Sequence, residues 1–240
     1  MRTMFADLEG NGLLDEITTI HCFVAKDKDS GEVYEFTPTT LSGLPAFLDT
    51  VDELIMHNGI GFDLPALRKI IGYDYKGKLT DTLIISKTLQ PDRPIPLNCP
   101  NKRAPHSLEV WGYRVGRGKP EHNDWANYSP AMLHRCKEDV EITQLVYDEL
   151  MEEAHPGWWN STYRPMDMTH QLFTILQKQE EYGWLFDVPH AERCIQQLTD
   201  IMDSIAGFLQ PRLPLRTFSF EKKVDADEKY DMPLRQLNLS

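Results

Sequence analysis

The sequence has few cysteines and no long apolar run, and both absences narrow the classes of protein to which it can belong. Its four cysteines, Cys22, Cys99, Cys136 and Cys194, are far apart among 240 residues and show no paired spacing. Neither a zinc knuckle nor a disulfide framework is therefore indicated. No apolar stretch approaches the length of a membrane span, and the first residues lack the apolar core of a signal peptide. These features predict reduced thiols and a cytoplasmic protein without a membrane segment.

Negative charge predominates, but it is unevenly distributed along the chain. The formal net charge is -12, from 37 acidic and 25 basic residues. Residues 1–64 contain 12 acids and 3 bases, whereas residues 65–119 contain 4 acids and 11 bases. A basic segment of this kind is typical of a surface that binds phosphate beside an acidic, cation-loaded cleft. Scattered solvated charges would give the same composition, so both interpretations stay open.

The hydrophobic pattern predicts an α/β domain followed by further helices. Strands are predicted at 3–9, 17–25, 33–37 and 54–57, the first three as an antiparallel meander. Helices are predicted at 41–51, 64–71, 81–89, 107–112 and 129–153. Two more helices, at 166–181 and 189–209, predict a C-terminal helical hairpin. We expect a domain at 1–155, a linker at 156–163, a helical appendage at 164–210, and a tail at 211–240 that could dock a partner.

Four acidic residues lie in contexts that suit a metal site. Asp7 and Glu9 are two apart in the first predicted strand, so their side chains leave the same face about 7 Å apart. Carboxylates that close are unfavourable unless one is protonated or a cation lies between them, and Mg²⁺ and Mn²⁺ prefer oxygen ligands. Asp63 begins a predicted helix, where capping alone would explain an acid. Asp139 lies beside the apolar stripe of a long helix, where an acid needs a partner or a cation.

Three segments resemble the motifs of the DEDD exonucleases. Phe5-Ala-Asp-Leu-Glu9 resembles the first motif, Asn58-x-x-x-Phe62-Asp63 the second, and the helix segment Lys137-Glu-Asp139 the third. The resemblance is closest to the proofreading domain of family A DNA polymerases from short-tailed phages. It implies a ribonuclease-H-like α/β fold, a mixed sheet flanked by helices, that removes nucleotides from 3′ ends of DNA with two Mg²⁺ or Mn²⁺ ions.

The resemblance also implies a role for individual residues. Asp7 would bridge both metal ions, Glu9 and Asp139 would hold the ion that activates water, and Asp63 would support the second ion through water. Candidates for contacting the single-stranded or frayed DNA end are Asn58, Phe62 and Leu13, together with Lys102 and Arg103 in the proline-rich loop 90–105.

The third motif departs from the pattern of the polymerase-associated exonucleases. These enzymes have a tyrosine four residues before the last acid, and here that position is Arg135. His134 has the spacing used by the histidine branch of the superfamily, and a histidine suits a general base because its ordinary pKa is near neutral. Residues five apart on a helix are rotated by about 140°, however, so a regular helix would turn His134 away from Asp139. Two hypotheses follow: His134 as the base, or Arg135 as a phosphate or charge-stabilising contact.

The chain is too short to contain the polymerase domains of the family it resembles. It is therefore predicted to be either a fragment or a separate exonuclease that works with a separately encoded polymerase subunit, in the host cytoplasm if a phage encodes it. Two other functions stay open. One is a free-standing exoribonuclease or oligonucleotidase, and the other is a non-catalytic clamp or assembly subunit.

Overall fold

Five strands form one mixed sheet at the centre of the computed structural model. They are β1 (Thr3–Gly10), β2 (Ile20–Asp27), β3 (Val33–Phe36), β4 (Glu53–Met56) and β5 (Lys78–Asp81). The strand order is β3-β2-β1-β4-β5. Strands β1, β2 and β3 pair antiparallel, whereas β4 pairs parallel with both β1 and β5. The structure describes residues 1–120, 122–154 and 165–213, so the predicted linker 156–163 and all but the first residues of the predicted tail lie outside the described residues.

The structure describes seven α-helices. They are α1 (Leu44–Leu48), α2 (Asp63–Ile71), α3 (Thr82–Leu89), α4 (Leu108–Val115), α5 (Pro130–Glu153), α6 (Pro165–Tyr182) and α7 (Val188–Leu209). The predicted start of α5 is confirmed, because the Ser129 hydroxyl accepts a hydrogen bond from the Met132 N–H group and Pro130 occupies the first turn. The sheet with its flanking helices confirms the predicted α/β fold class. No described helix has the length and apolar character needed to cross a membrane.

Alternating side chains along β1 divide the core between the two faces of the sheet. Met4, Ala6 and Leu8 face one buried cluster, which also contains residues of α1 and α2. Phe5 faces the other cluster, where Met132, Cys136 and Val140 of α5 pack against the sheet. Because Asp7 and Glu9 lie two and four residues after Phe5 in the strand, their side chains are on the same face of β1 as Phe5, toward α5.

Strand β5 has no counterpart among the predicted elements. It is four residues long, and its sequence Lys-Leu-Thr-Asp lacks the apolar run that marks β4. Its backbone pairs with β4 along the full length of both strands, so tertiary pairing decides its structure. The following helix begins at Thr82, and Asp81 is its N-cap.

The chain divides into two compact units, residues 1–183 and 184–240. Helix α6 belongs to the first unit: Met166 is fully buried among Ile85, Trp111 and other residues of a third apolar cluster. Helix α7 belongs to the second unit. This division differs from the predicted appendage at 164–210, which grouped the two helices, because the sequence pattern of α6 does not reveal that its first turn is buried against α3 and α4.

Candidate active site

The end of β1 presents two carboxylates toward helix α5. Asp7 pairs with Val24 and Glu9 with Cys22 across the antiparallel ladder, and the register shifts between Glu9 and Gly10. Such an irregularity ends regular pairing and redirects the chain. The carboxylates are therefore held by regular strand on one side and open onto a loop on the other.

Helix α5 brings a third carboxylate to the same place. Its apolar stripe packs on the sheet, and the Cys136 thiol donates a hydrogen bond to the Asp7 carbonyl oxygen at 3.3 Å. Asp139, one turn further along, has a side chain that is only 2% exposed. One carboxylate oxygen from each of Asp7, Glu9 and Asp139 lies within 4.8 Å of the others. Residues more than a hundred positions apart in sequence thus form one acidic group.

Asp63 approaches this group from the first turn of α2. Its side chain is buried, and its Oδ1 atom has no hydrogen-bond partner within the described residues. The Oδ1 atom of Asp139 is likewise without a partner. Buried carboxylate oxygens without donors are unfavourable, and a hard divalent cation would satisfy them. The donor set therefore fits Mg²⁺ or Mn²⁺.

Burial raises the pKa of all four carboxyl groups, and repulsion by other acids of the group adds to this for Asp7, Glu9 and Asp63. Burial is the largest cause in each case. The pKa of Asp7 lies well above its ordinary value, with Asp139 and Glu9 as the next causes. Glu9 is raised to about 7, and Asp63 to about 8 with Asp81 as its second cause. A bound cation would reverse this repulsion, so the site favours positive charge.

Two basic side chains already contact the acids. Lys119 forms an ion pair with Oδ2 of Asp139, and Nε of Arg135 lies 3.3 Å from Oε1 of Glu9. The Arg135 guanidinium also stacks 5.2 Å from the centre of the Trp125 ring. Arg135 thus faces the acids from the helical position four residues before Asp139.

The structure does not bring His134 to the acids. Its side chain is exposed on the surface of α5. Because α5 is helical from Pro130 onward, the five-residue separation turns His134 away from Asp139.

A cavity of about 420 Å³ opens beside Glu9. Leu13, Phe62 and Trp125 contribute to its wall, and the Leu13 side chain is 76% exposed. Trp125 was not among the predicted site residues. It lies in the irregular segment between α4 and α5, where its only signal in the sequence is a large aromatic side chain outside any predicted element.

Asp81 organises the loop that carries the second motif. Its carboxylate accepts hydrogen bonds from the Asn58 N–H group at 3.0 Å and from the Ile60 N–H group at 3.1 Å. Asn58 adopts a left-handed backbone conformation with φ of 71°. Its side chain is exposed and lines a different cavity, together with Asp81 and Lys87. These bonds join residues more than twenty positions apart, so the sequence around Asp81 does not reveal them.

The predicted basic surface is partly neutralised by acids. Six of the eleven basic residues at 65–119 form ion pairs: Arg68, Lys76, Lys78, Arg93, Arg117 and Lys119. Lys102 donates hydrogen bonds to the carbonyl oxygens of Pro96 and Leu97, and Arg103 is exposed. The hydrogen-bond partners of Lys102 are thus local to the proline-rich loop.

Comparisons with known proteins agree with this geometry, although no family model matches the chain. A DNA-directed DNA polymerase of Enterobacteria phage T3 is 25% identical over an alignment of 270 positions, which covers 87% of this chain. The chain spans only 38% of that polymerase's length. The apo form of a nuclease has a TM-score of 0.54 at 19% identity, covering 78% of this chain and 88% of its own. Brucella melitensis NrnC has a TM-score of 0.53 at 17% identity, covering 76% and 86%. The chain is thus similar in sequence to part of a phage DNA polymerase and shares its fold with these two solved structures.

Proposed function

We propose that this chain is a 3′–5′ exonuclease that removes nucleotides from DNA ends with the help of two divalent metal ions. The observation that carries the proposal is the approach of Asp7, Glu9 and Asp139 oxygens to within 4.8 Å. Such a group has no evident structural use, because burial and repulsion raise the pKa of each acid. Acids with pKa values raised in this way are typical of functional sites, and a bound cation would offset the unfavourable burial of their charge.

The four acids divide between two ions in this proposal. Asp7, Glu9 and Asp139 would hold one, and Asp63 with Asp7 would hold the other. A pair of divalent ions supplies an activated water and stabilises the leaving oxygen of an in-line displacement. The buried walls around Asp63 and Asp139 keep bulk water from their oxygens, which strengthens their attraction for cations.

The cavity beside Glu9 would receive the terminal nucleotide. Leu13 and Trp125 offer apolar surface to the base, and stacking on an aromatic ring tolerates any base. Arg135 contacts Glu9 and lies against Trp125, so its guanidinium can also reach a phosphate held between them. A base in a walled cavity cannot remain paired to a template, which favours single-stranded or frayed ends.

Proofreading for a polymerase is the biological role that we propose. The homologous phage protein is a DNA polymerase, and this chain spans 38% of its length. A polymerase acting with this chain would deliver mismatched 3′ ends, which fray more readily than matched ones. Co-purification with a polymerase would support this role, and a chain that removes matched and mismatched ends at equal rates would contradict it.

Digestion of a primer with a 3′ mismatch tests the activity. We expect shortening from the 3′ end in Mg²⁺ or Mn²⁺ and none in excess chelator. The same assay on matched DNA and RNA strands decides the substrate, and we expect faster cleavage of DNA. The control is Asp7→Ala, which removes the acid shared by both ions. A variant that degrades DNA as fast as the parent would assign the activity to a contaminant.

A further inference from the structure

Lys119 lies against the proposed metal ligands, although it comes from a segment that contributes none of them. It belongs to the irregular stretch between α4 and α5, and its side chain is 20% exposed. Its ammonium group forms an ion pair with Oδ2 of Asp139, whose other oxygen has no hydrogen-bond partner in the part of the chain that the structure describes. The lysine therefore satisfies one half of a carboxylate that is otherwise buried without donors.

The charge of Lys119 acts on the whole acidic group. It lowers the pKa of Asp7, of Glu9 and of Asp139, in each case against the larger effect of burial. Arg135 acts in the same direction on Glu9 and Asp139. Lys119 thus partly neutralises the same three acids that we propose to hold an ion.

A protonated lysine and a divalent ion compete for one carboxylate. An ammonium group has three donors and no lone pair, so it cannot act as a ligand and repels a nearby cation. Full use of Asp139 by an ion therefore requires the Lys119 ammonium to move. The Lys119 side chain lines a second cavity, of about 390 Å³, together with Ser107, His122 and Arg135. The flexible four-carbon stem can turn into this space without a change in the backbone.

We propose that Lys119 is a built-in counter-ion with two positions: it pairs with Asp139 until a divalent ion binds, and then turns to a phosphate of the bound strand. This inference rests on the proposed function, since it needs both the ion and the strand. A phosphate in the second cavity would meet two positive charges, Lys119 and Arg135, against one acid, Glu109, so the cavity has a net positive lining. A lysine suits such an exchange because its compact charge and rotatable donors require no fixed geometry.

Binding of Mn²⁺ without DNA tests the first position. We expect Lys119→Met to bind Mn²⁺ on the order of tenfold more tightly than the parent, because the competing charge is gone. Lys119→Arg keeps the charge and should bind close to the parent. The matched control is Lys137→Met, because Lys137 forms its ion pair with Glu35, at 2.7 Å, and not with any of the four acids. Equal affinity in the parent and Lys119→Met would overturn the counter-ion role.

The salt dependence of DNA binding tests the second position. The probe is a fluorescent single strand whose last linkages are phosphorothioates, bound in the presence of Mn²⁺ so that hydrolysis is slow. Loss of one phosphate contact in Lys119→Met should reduce the slope of log K against log salt by about 0.7. Lys137→Met should leave the slope unchanged. The phosphate contact is overturned by a slope in Lys119→Met that equals that of the parent.

These results separate failure of the inference from failure of the proposed function. If the parent binds no Mn²⁺, the proposed function fails and the inference fails with it. If the parent binds Mn²⁺ and degrades DNA, but Lys119→Met has parental affinity and slope, only the inference fails. Thermal unfolding in chelator shows whether the variant is folded. Lys119→Gln, which keeps a donor near Asp139 without the charge, replaces Lys119→Met if the latter does not fold.

Discussion

Asp63→Asn should stabilise the protein at high pH when no divalent ion is present. The pKa of Asp63 rises from 3.8 to about 8, mainly because the side chain is buried, with repulsion by Asp81 as the second cause. Between these two values the folded state binds more protons than the unfolded state, so the free energy of unfolding falls as pH rises through this window. The full loss of stability is present above about pH 8. The difference between pKa values of 3.8 and about 8 corresponds to an upper bound of about 6 kcal/mol on this loss.

Asparagine avoids this loss because it does not ionise. Local relaxation and water entry reduce the cost of the buried charge, and the new amide group leaves a donor unpaired at about 1 kcal/mol. We therefore expect Asp63→Asn to be about 2 kcal/mol more stable than the parent near pH 8 in chelator, and about 1 kcal/mol less stable near pH 3, where Asp63 is protonated in both the folded and the unfolded parent.

Urea unfolding at both pH values measures this change of sign. Addition of Mn²⁺ near pH 8 should stabilise the parent more than the variant, because the variant lacks one proposed ligand. A variant that is less stable than the parent at both pH values in chelator would refute the reasoning. So would an equal response of the two proteins to Mn²⁺.

Four further substitutions test the surroundings of the acids. Arg135→Gln should lower kcat/KM on single-stranded DNA about tenfold by removing a charge that faces phosphate. His134→Gln should stay within about twofold of the parent because the His134 side chain is exposed. A larger loss of kcat/KM in His134→Gln than in Arg135→Gln would restore the histidine as general base. Trp125→Ala should raise KM about tenfold or more, since stacking contributes about 1–3 kcal/mol per base, and steady-state kinetics with an unchanged KM would remove Trp125 from the substrate site. Asp81→Ala should lower the free energy of unfolding by about 2–4 kcal/mol, because it removes the cap of α3 and the hydrogen bonds to the Asn58 loop. Urea unfolding measures this change, and a decrease below about 1 kcal/mol would contradict the role assigned to Asp81.

Local patterns in the sequence contain much of the fold. Alternation along β1 separates Met4 and Leu8 from Phe5 and Asp7, and this alone puts Asp7 and Glu9 on one face. The start of α5 is likewise predicted by Ser129 and Pro130. Such features need only neighbouring residues, so they can be predicted without the tertiary structure.

Contacts between distant segments account for what the sequence did not reveal. Strand β5 forms because β4 offers it a backbone ladder, and its own four residues carry little signal. Helix α6 is held to the first unit partly by His170, whose Nε2 atom accepts a hydrogen bond from the Asp81 N–H group at 2.8 Å. Nothing in the sequence distinguishes Lys119 from the ten other basic residues of its segment, and only the fold places it beside Asp139.

The position of bound Mn²⁺ tests the central claim most directly. Crystals grown with Mn²⁺ and measured for anomalous scattering should show two ions about 4 Å apart. One should lie among the oxygens of Asp7, Glu9 and Asp139, and the other between Asp7 and Asp63. Crystals that are saturated with Mn²⁺ but show no anomalous peak beside Asp7 would contradict the account.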